Sequence, residues 1–163
     1  MEASTSTRSL LKKRASDWDL ALSAAAAAGQ ERDYRFIAKA VDEAYRAVEC
    51  GGGNPFGAVI ARGDEEVACN KLGRIDLSDC EIYASCQPCP MCLRLIRLSK
   101  IKKVVYGAKA QVAAAAAGFS SSIPDAFVEY YQKSGIEIRQ AEGEAARIAE
   151  EVFEKTEGRF QTK

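Results

Sequence analysis

Residues 80–92 of this chain read CEIYASCQPCPMC, and this segment is the most informative part of the sequence. Its first seven residues predict a buried strand, which Pro88 ends. Pro90 follows at a position where the first turn of a helix tolerates proline. The segment therefore predicts a strand that leads directly into a helix, with Cys89 and Cys92 at the start of that helix.

The flanking sequence alternates between helical and strand patterns. Helices are predicted from about residue 33 to the glycines at 51–53 and over 90–99, 110–117, 122–131 and 145–153. Strands are predicted over 56–61, 66–69, 80–86, 103–106 and 136–138. This order predicts an α/β fold, a three-layer α/β/α sandwich around a five-stranded mixed sheet.

Composition limits the partners of the chain. Its 163 residues are 47% hydrophobic, which is enough for one globular domain, expected over residues 33–160. Lysine plus arginine and aspartate plus glutamate both number 23, and this balance argues against a nucleic acid polymer as partner. No apolar run approaches the roughly 20 residues that a membrane span needs.

The first 32 residues are rich in serine, threonine, alanine and basic side chains. We expect a disordered tail over residues 1–32, with an organelle transit peptide as the alternative. Because the leucine-rich core of a secretory signal is missing, the expected location is cytoplasmic, where disulfides are rare. A Cys-x-x-Cys pair in that reducing setting indicates a metal or redox site.

Cys89 and Cys92 are the predicted metal ligands. Zinc prefers thiolate donors in a tetrahedral arrangement, and two cysteines three residues apart at a helix start can point at one ion. The positive end of the helix dipole also stabilises thiolates. The alternative is a pair of buried free cysteines beside the helix start.

The string Pro88-Cys89-Pro90-Met91-Cys92 resembles the second half of the zinc deaminase signature, His-x-Glu followed by Pro-Cys-x-x-Cys. Segments 54–60, 80–86, 105–108, 117–119 and 148–153 are similar to plant-type guanosine deaminases and their guanine deaminase relatives. The resemblance covers about residues 33–160 and implies a cytidine-deaminase-like fold. In that family, zinc is held by both cysteines and a histidine, and its hydroxide converts guanosine to xanthosine and ammonia.

The resemblance also implies roles for two residues before the first strand. Asn54 would hydrogen-bond the purine edge, and Phe56 would form a wall of the base pocket. For Asn54, the alternative is a loop residue that merely precedes a proline. The implied substrate is a purine nucleoside, with guanosine favoured over guanine and deoxyguanosine, and the implied assembly is a homodimer.

The His-x-Glu half of the signature is missing, because the chain contains no histidine. Since the flanks remain similar to the family, we infer a contiguous loss of roughly 25–30 residues between Asn70 and Lys71. The loss would remove a zinc ligand, the proton-shuttling glutamate and one crossover helix, which predicts marginal stability or aggregation. Cys69 or Cys86 could supply a third thiolate in place of the histidine.

Two smaller departures also affect the site. Gln87 stands where the family usually has glutamate, and Ser120-Ser121 replace acids that lie near the amino group of the purine. We consider three hypotheses: a truncated deaminase isoform that is inactive or severely impaired, a non-enzymatic zinc-binding or regulatory partner of intact deaminase subunits, and an active hydrolase with a three-cysteine site. The sequence favours the first.

Overall fold

The computed structural model describes residues 3–50, 53–67, 75–117, 129 and 132–157. The chain divides into two compact units, Met1–Arg32 and Asp33–Lys163. The long helix α1 (Ala3–Glu49) begins in the first unit, whereas the sequence pattern predicts a helix only from about residue 33. Its residues 19–31 are exposed, and the alanine run at 24–28 favours a helix by intrinsic propensity without packing.

The second unit contains one five-stranded mixed sheet, as predicted. Its strands are β1 (Ala58–Arg62), β2 (Glu65–Glu66), β3 (Glu81–Cys86), β4 (Lys103–Ala108) and β5 (Glu137–Gln140). They lie in the order β2-β1-β3-β4-β5, with β1 antiparallel to both of its neighbours and β3, β4 and β5 mutually parallel. The returning strand β2 begins one residue before the predicted 66–69 and ends at Glu66, and the predicted residues 68 and 69 lie outside the described residues.

Three more helices with described bounds pack around the sheet: α2 (Pro90–Leu98), α3 (Ala110–Ala117) and α4 (Glu144–Thr156). Among the helices in the described part of the chain, none is both long enough and apolar enough to cross a bilayer. The inferred junction between residues 70 and 71 lies outside the described residues, as do Cys69, Ser120-Ser121 and, apart from Glu129, the predicted helix at 122–131.

The two faces of the sheet carry separate apolar cores, which gives the predicted three layers. One core joins α1, α3 and α4 to the sheet, and its largest buried side chains are Phe36, Ile37, Tyr83, Val105, Val152 and Phe153. The other joins the sheet to α2 through Leu93 and Ile96. Alternation of side chains along the strands separates the two sets.

One row of side chains on the α2 face is covered unevenly. The strand register aligns Ile60, Ile82, Val104 and Ile138 across β1, β3, β4 and β5. Val104 and Ile138 are buried, whereas Ile60 and Ile82 are only partly buried. The described part of the α2 layer therefore shields the β4–β5 half of the sheet more completely than the β1–β3 half.

Two tight contacts fix the opposite layer against the sheet. A Cβ atom added at Gly107 would lie 2.2 Å from the Cβ of Ala149, so α4 reaches β4 only because residue 107 has no side chain. Arg139 on β5 donates two hydrogen bonds to Asp33 on α1, at 2.7 and 3.0 Å. The buried Asp33 carboxylate thus ties the start of the second unit to the sheet edge.

Candidate functional site

Cys89 and Cys92 lie together at the start of α2. Cys89 occupies the N-cap with an extended backbone (φ −71°, ψ 166°), and Pro90 takes the first helical position. The backbone oxygen of Cys89 accepts a hydrogen bond of 2.9 Å from the amide of Leu93. The two sulfur atoms are 3.5 Å apart, with Cys92 exposed and Cys89 partly exposed.

The two thiols have pKa values shifted in opposite directions. Burial acts to raise the pKa of the Cys89 thiol, but hydrogen bonds from the backbone amides of Cys92 and Met91 and from the Cys92 side chain outweigh it and lower the pKa. For Cys92, burial and the adjacent Cys89 sulfur both raise the pKa. Cys89 therefore ionises first, and the pair then holds one thiolate beside one thiol.

A cavity of about 480 Å³ opens beside this pair. It lies over the partly covered half of the sheet, and its lining is mainly apolar, from Phe56, Gly57, Ala58, Ile82, Ala84, Ser85, Cys86, Gln87, Pro88, Cys89, Cys92, Leu95, Ile96 and Ala110. Sites for small molecules typically have volumes of about 300–1,000 Å³ and largely apolar walls. The cavity therefore has the size and character of a small-molecule site.

The structure brings three of the four sequence-predicted site residues to this cavity. Phe56 lines it alongside Cys89 and Cys92. The Phe56 ring is 43% exposed and packs 5.9 Å from the Phe153 ring. Asn54 is exposed and does not contribute to the cavity lining, although its carbonyl oxygen accepts a hydrogen bond of 2.7 Å from the Phe56 amide.

Ser85 is a positioning residue that the sequence pattern did not reveal. Its buried Oγ accepts a hydrogen bond of 3.0 Å from the Gly57 amide, and its own amide donates to the Gly57 oxygen at 2.9 Å. A Cβ atom at Gly57 would lie 2.1 Å from the Ala40 oxygen of α1. These contacts fix the segment that carries Phe56 against both β3 and α1.

Gln87 has a structural role at the edge of the cavity. Its side-chain Oε1 accepts a hydrogen bond of 3.3 Å from the backbone amide of Ala110 at the start of α3. The backbone amide of Gln87 donates to the Ala108 oxygen at 2.8 Å. The side chain thus satisfies one of the unpaired amides at the N-terminus of α3. The glutamine expected to weaken the site therefore also stabilises the adjacent helix.

The donor set fits a zinc ion only in part. Two zinc–sulfur bonds of about 2.3 Å at a tetrahedral angle place the sulfurs about 3.8 Å apart, close to the observed 3.5 Å. Across residues 3–50, 53–67, 75–117, 129 and 132–157, no group of three or more His, Cys, Asp or Glu side chains is arranged to hold a metal. Burial raises the pKa of Cys86 to about 12, which disfavours its thiolate. The described residues therefore supply half of a tetrahedral site, and we assign no reaction step to a metal.

Comparison with known proteins places this geometry in a family. Residues 65–157, more than half of the chain, match the MafB19-like deaminase family. The guanine deaminase of Bacillus subtilis is 39% identical over 111 residues, covering 53% of this chain and 70% of that protein. A tRNA-specific adenosine deaminase of the same organism is 30% identical over 101 residues, covering 47% of this chain and 62% of its own length.

Solved structures agree with this assignment at the level of the fold. A guanine deaminase from Nitrosomonas europaea superposes with a TM-score of 0.64 at 19% identity, covering 75% of this chain and 82% of that chain. Its likeness supports the cytidine-deaminase-like architecture predicted from the sequence. With the family match over residues 65–157, the cysteine pair at the start of α2 and the shared fold, this chain belongs to the MafB19-like deaminase family.

Proposed function

We propose that this chain is a truncated guanosine deaminase relative that binds a purine nucleoside but is severely impaired in hydrolysing it. One observation carries the proposal: in a chain without histidine, the ligand-sized cavity is lined by the adjacent Cys89 and Cys92 and by Cys86, whose thiolate is disfavoured because burial raises its pKa. Catalytic zinc sites ordinarily use three protein ligands and one open position for water. The binding surface is therefore retained while the metal-ligand set is short.

The alignments with relatives support an internal loss. The match to the Bacillus subtilis guanine deaminase spans 111 positions but only 53% of this 163-residue chain, or about 86 residues, which leaves about 25 positions of the alignment without a counterpart here. The match to the tRNA-specific adenosine deaminase spans 101 positions and 47% of the chain, or about 77 residues, which leaves about 24. Both differences are close in size to the roughly 25–30 residues whose loss we infer between Asn70 and Lys71.

The cavity walls suit a flat aromatic ligand. The partly exposed Phe56 lines the cavity with an aromatic ring, and Ile82 and Ala84 add apolar surface from β3. Stacking of an aromatic base against such a ring is worth about 0.5–1.5 kcal/mol beyond area burial. Guanosine is our candidate ligand because the segments similar to guanosine deaminases, 54–60 and 80–86, supply these walls.

Proton transfer to the departing ammonia has no evident donor in the described site. Glu81 is the acid closest in sequence to the cysteine motif, but its carboxylate accepts hydrogen bonds from the Tyr83 hydroxyl at 2.9 Å and from Lys103 Nζ at 3.2 Å. Tyr83 belongs to the core on the side of the sheet opposite α2. General acid–base catalysis is worth about 10²–10⁴-fold in rate, so we expect hydrolysis to fall by at least that factor.

Two measurements on the purified chain test the proposal. Zinc-supplemented protein mixed with guanosine should release ammonia at least about 10²-fold more slowly than the Bacillus subtilis guanine deaminase does with guanine. Calorimetry should show saturable binding of guanosine that weakens about 2–10-fold in Phe56→Ala. Tyr34→Ala provides the matched control, because Tyr34 is an aromatic residue of similar exposure outside the cavity.

The two parts of the proposal can fail separately. Ammonia release at the rate of the intact enzyme would refute the impaired chemistry and support a three-cysteine hydrolase. Guanosine binding that is absent, or that is equally strong in Phe56→Ala, would refute the purine pocket.

A further inference from the structure

The cysteine pair lies at an accessible place on the molecule, at the start of α2. Cys92 is exposed and Cys89 partly exposed, and both residues line the cavity. Their separation of 3.5 Å matches two vertices of a zinc tetrahedron to within about 0.3 Å. Two further donors are needed, and the described residues place no third ligand beside the pair.

The surface next to the pair carries three exposed apolar side chains of α2, with the exposed Arg94 and Arg97 beside them. Met91, Leu95 and Leu98 project from α2 away from its buried residues and are 77%, 64% and 61% exposed. Their spacing of four and three residues places them along one face of the helix, and Leu95 also lines the cavity with Cys92. We call Met91, Leu95 and Leu98 the α2 stripe. Contiguous exposed apolar surface beside a ligand pair is typical of an interaction site.

We propose that a second copy of this chain docks at the start of α2 and completes a shared zinc site with four cysteines. Cys89 and Cys92 of each subunit would each lose a proton on binding, and the four thiolates would hold one Zn²⁺ on a twofold axis. A twofold interface presents the same patch from both subunits, so one cysteine pair automatically supplies the other half of the tetrahedron. The inference does not depend on purine binding.

The incomplete ligand set and packing both favour a second copy as the occupant. A second copy presents the same two thiols beside the same apolar side chains, so a single kind of surface supplies both missing donors, with the exposed Arg94 and Arg97 at its edge. Met91 and Leu95 flank the cysteines within the first two turns of α2, and burying each against its symmetry mate would add apolar contact. The site would be closed, because four thiolates leave no position for water.

Titration of the reduced full chain with Zn²⁺ tests this inference. We expect the mass measured by light scattering to double as zinc is added, with saturation at about one zinc per two chains. Substituting Co²⁺ should give the visible absorption of tetrahedral cobalt bound to four thiolates. Cys89→Ser and Cys92→Ser should abolish both changes, whereas Cys50→Ser, which removes another exposed cysteine, should leave them intact.

A second variant separates docking from metal binding. Leu95→Lys keeps all four thiols but places two charges in the interface, so we expect at least a tenfold loss in dimer affinity. Binding of one zinc per monomeric chain would overturn the inference. If Cys69→Ser then abolished this zinc binding, the third ligand would be Cys69 of the same chain. Chains that bind no zinc, that dimerise equally well after chelation, or that pair only with an intact deaminase subunit would overturn it as well.

Discussion

The buried thiol of Cys86 should make the stability of the chain depend on pH in a defined way. Cys86 ends β3 and is 8% exposed, and burial raises the pKa of its thiol from 9.0 to about 12. In the unfolded chain the thiol ionises near its ordinary value, whereas in the folded chain it stays protonated to much higher pH. The unfolded state therefore binds fewer protons above pH 9, and stability falls as the pH rises from about 9 towards 12.

The size of this effect follows from the shift. Between pH 7 and pH 10, Cys86 alone should lower the free energy of unfolding by about 1.4 kcal/mol. Urea unfolding at pH 7, 8, 9 and 10 measures it by comparison with Cys86→Ala, which lacks the titrating group. The variant should be less stable at pH 7 but should lose less stability on going to pH 10, while Cys50→Ala should keep the full dependence.

Parallel pH profiles for the natural chain and Cys86→Ala would refute this reasoning. They would mean that the thiol is accessible enough to ionise in the folded state. That outcome would also reopen the three-cysteine hypothesis, since the burial that raises the pKa of Cys86 is what disfavours a thiolate at this position.

Two further predictions concern the packing that supports the site. Gly107→Ala places a methyl group 2.2 Å from Ala149 and should destabilise the chain by about 1–3 kcal/mol in urea unfolding, whereas Gly29→Ala has no neighbour within 4 Å and should be neutral or slightly stabilising. Asp33→Ala leaves Arg139 without its bidentate partner and should cost about 1–3 kcal/mol, because the carboxylate is buried and the guanidinium 37% exposed. Asp64→Ala, which removes an exposed partner of Arg35, should cost less than about 1 kcal/mol. These packing arguments would be contradicted if Gly107→Ala and Gly29→Ala, or Asp33→Ala and Asp64→Ala, lowered the free energy of unfolding equally.

Local signals in the sequence predicted the elements that surround the site. Pro88 and Pro90 act on the backbone at their own positions, so the end of β3 and the start of α2 lie where the sequence placed them. The sequence pattern placed the start of α1 near residue 33 rather than at Ala3, because residues 19–31 of this helix are exposed and rich in alanine and carry no buried apolar face. Hydrophobic periodicity marks a helix face that packs against other elements, and an exposed helix has little such periodicity.

The site itself was predictable only where its chemistry is contained in a short motif. Cys89 and Cys92 are three residues apart, and a pair of that kind can be recognised in sequence. Ser85 and Gln87 act on backbone amides 28 and 23 residues away, at Gly57 and Ala110. Hydrogen-bond partners this far apart in sequence depend on the strand register and the path of the loops, and no local sequence pattern specifies either.

The absence of a histidine ligand has opposite consequences for catalysis and for assembly. A hydrolytic zinc needs one position open to water, whereas a structural zinc is most stable when four protein donors close it. Two thiols at the start of α2 satisfy neither requirement within the described chain. A twofold partner would supply two more thiols, whereas the described lining of the cavity contains no carboxylic acid. Zinc binding by such a dimer would therefore stabilise the fold without restoring hydrolysis. A three-cysteine site within one chain would instead keep the open position, so the ratio of zinc to chain separates a structural role from an enzymatic one.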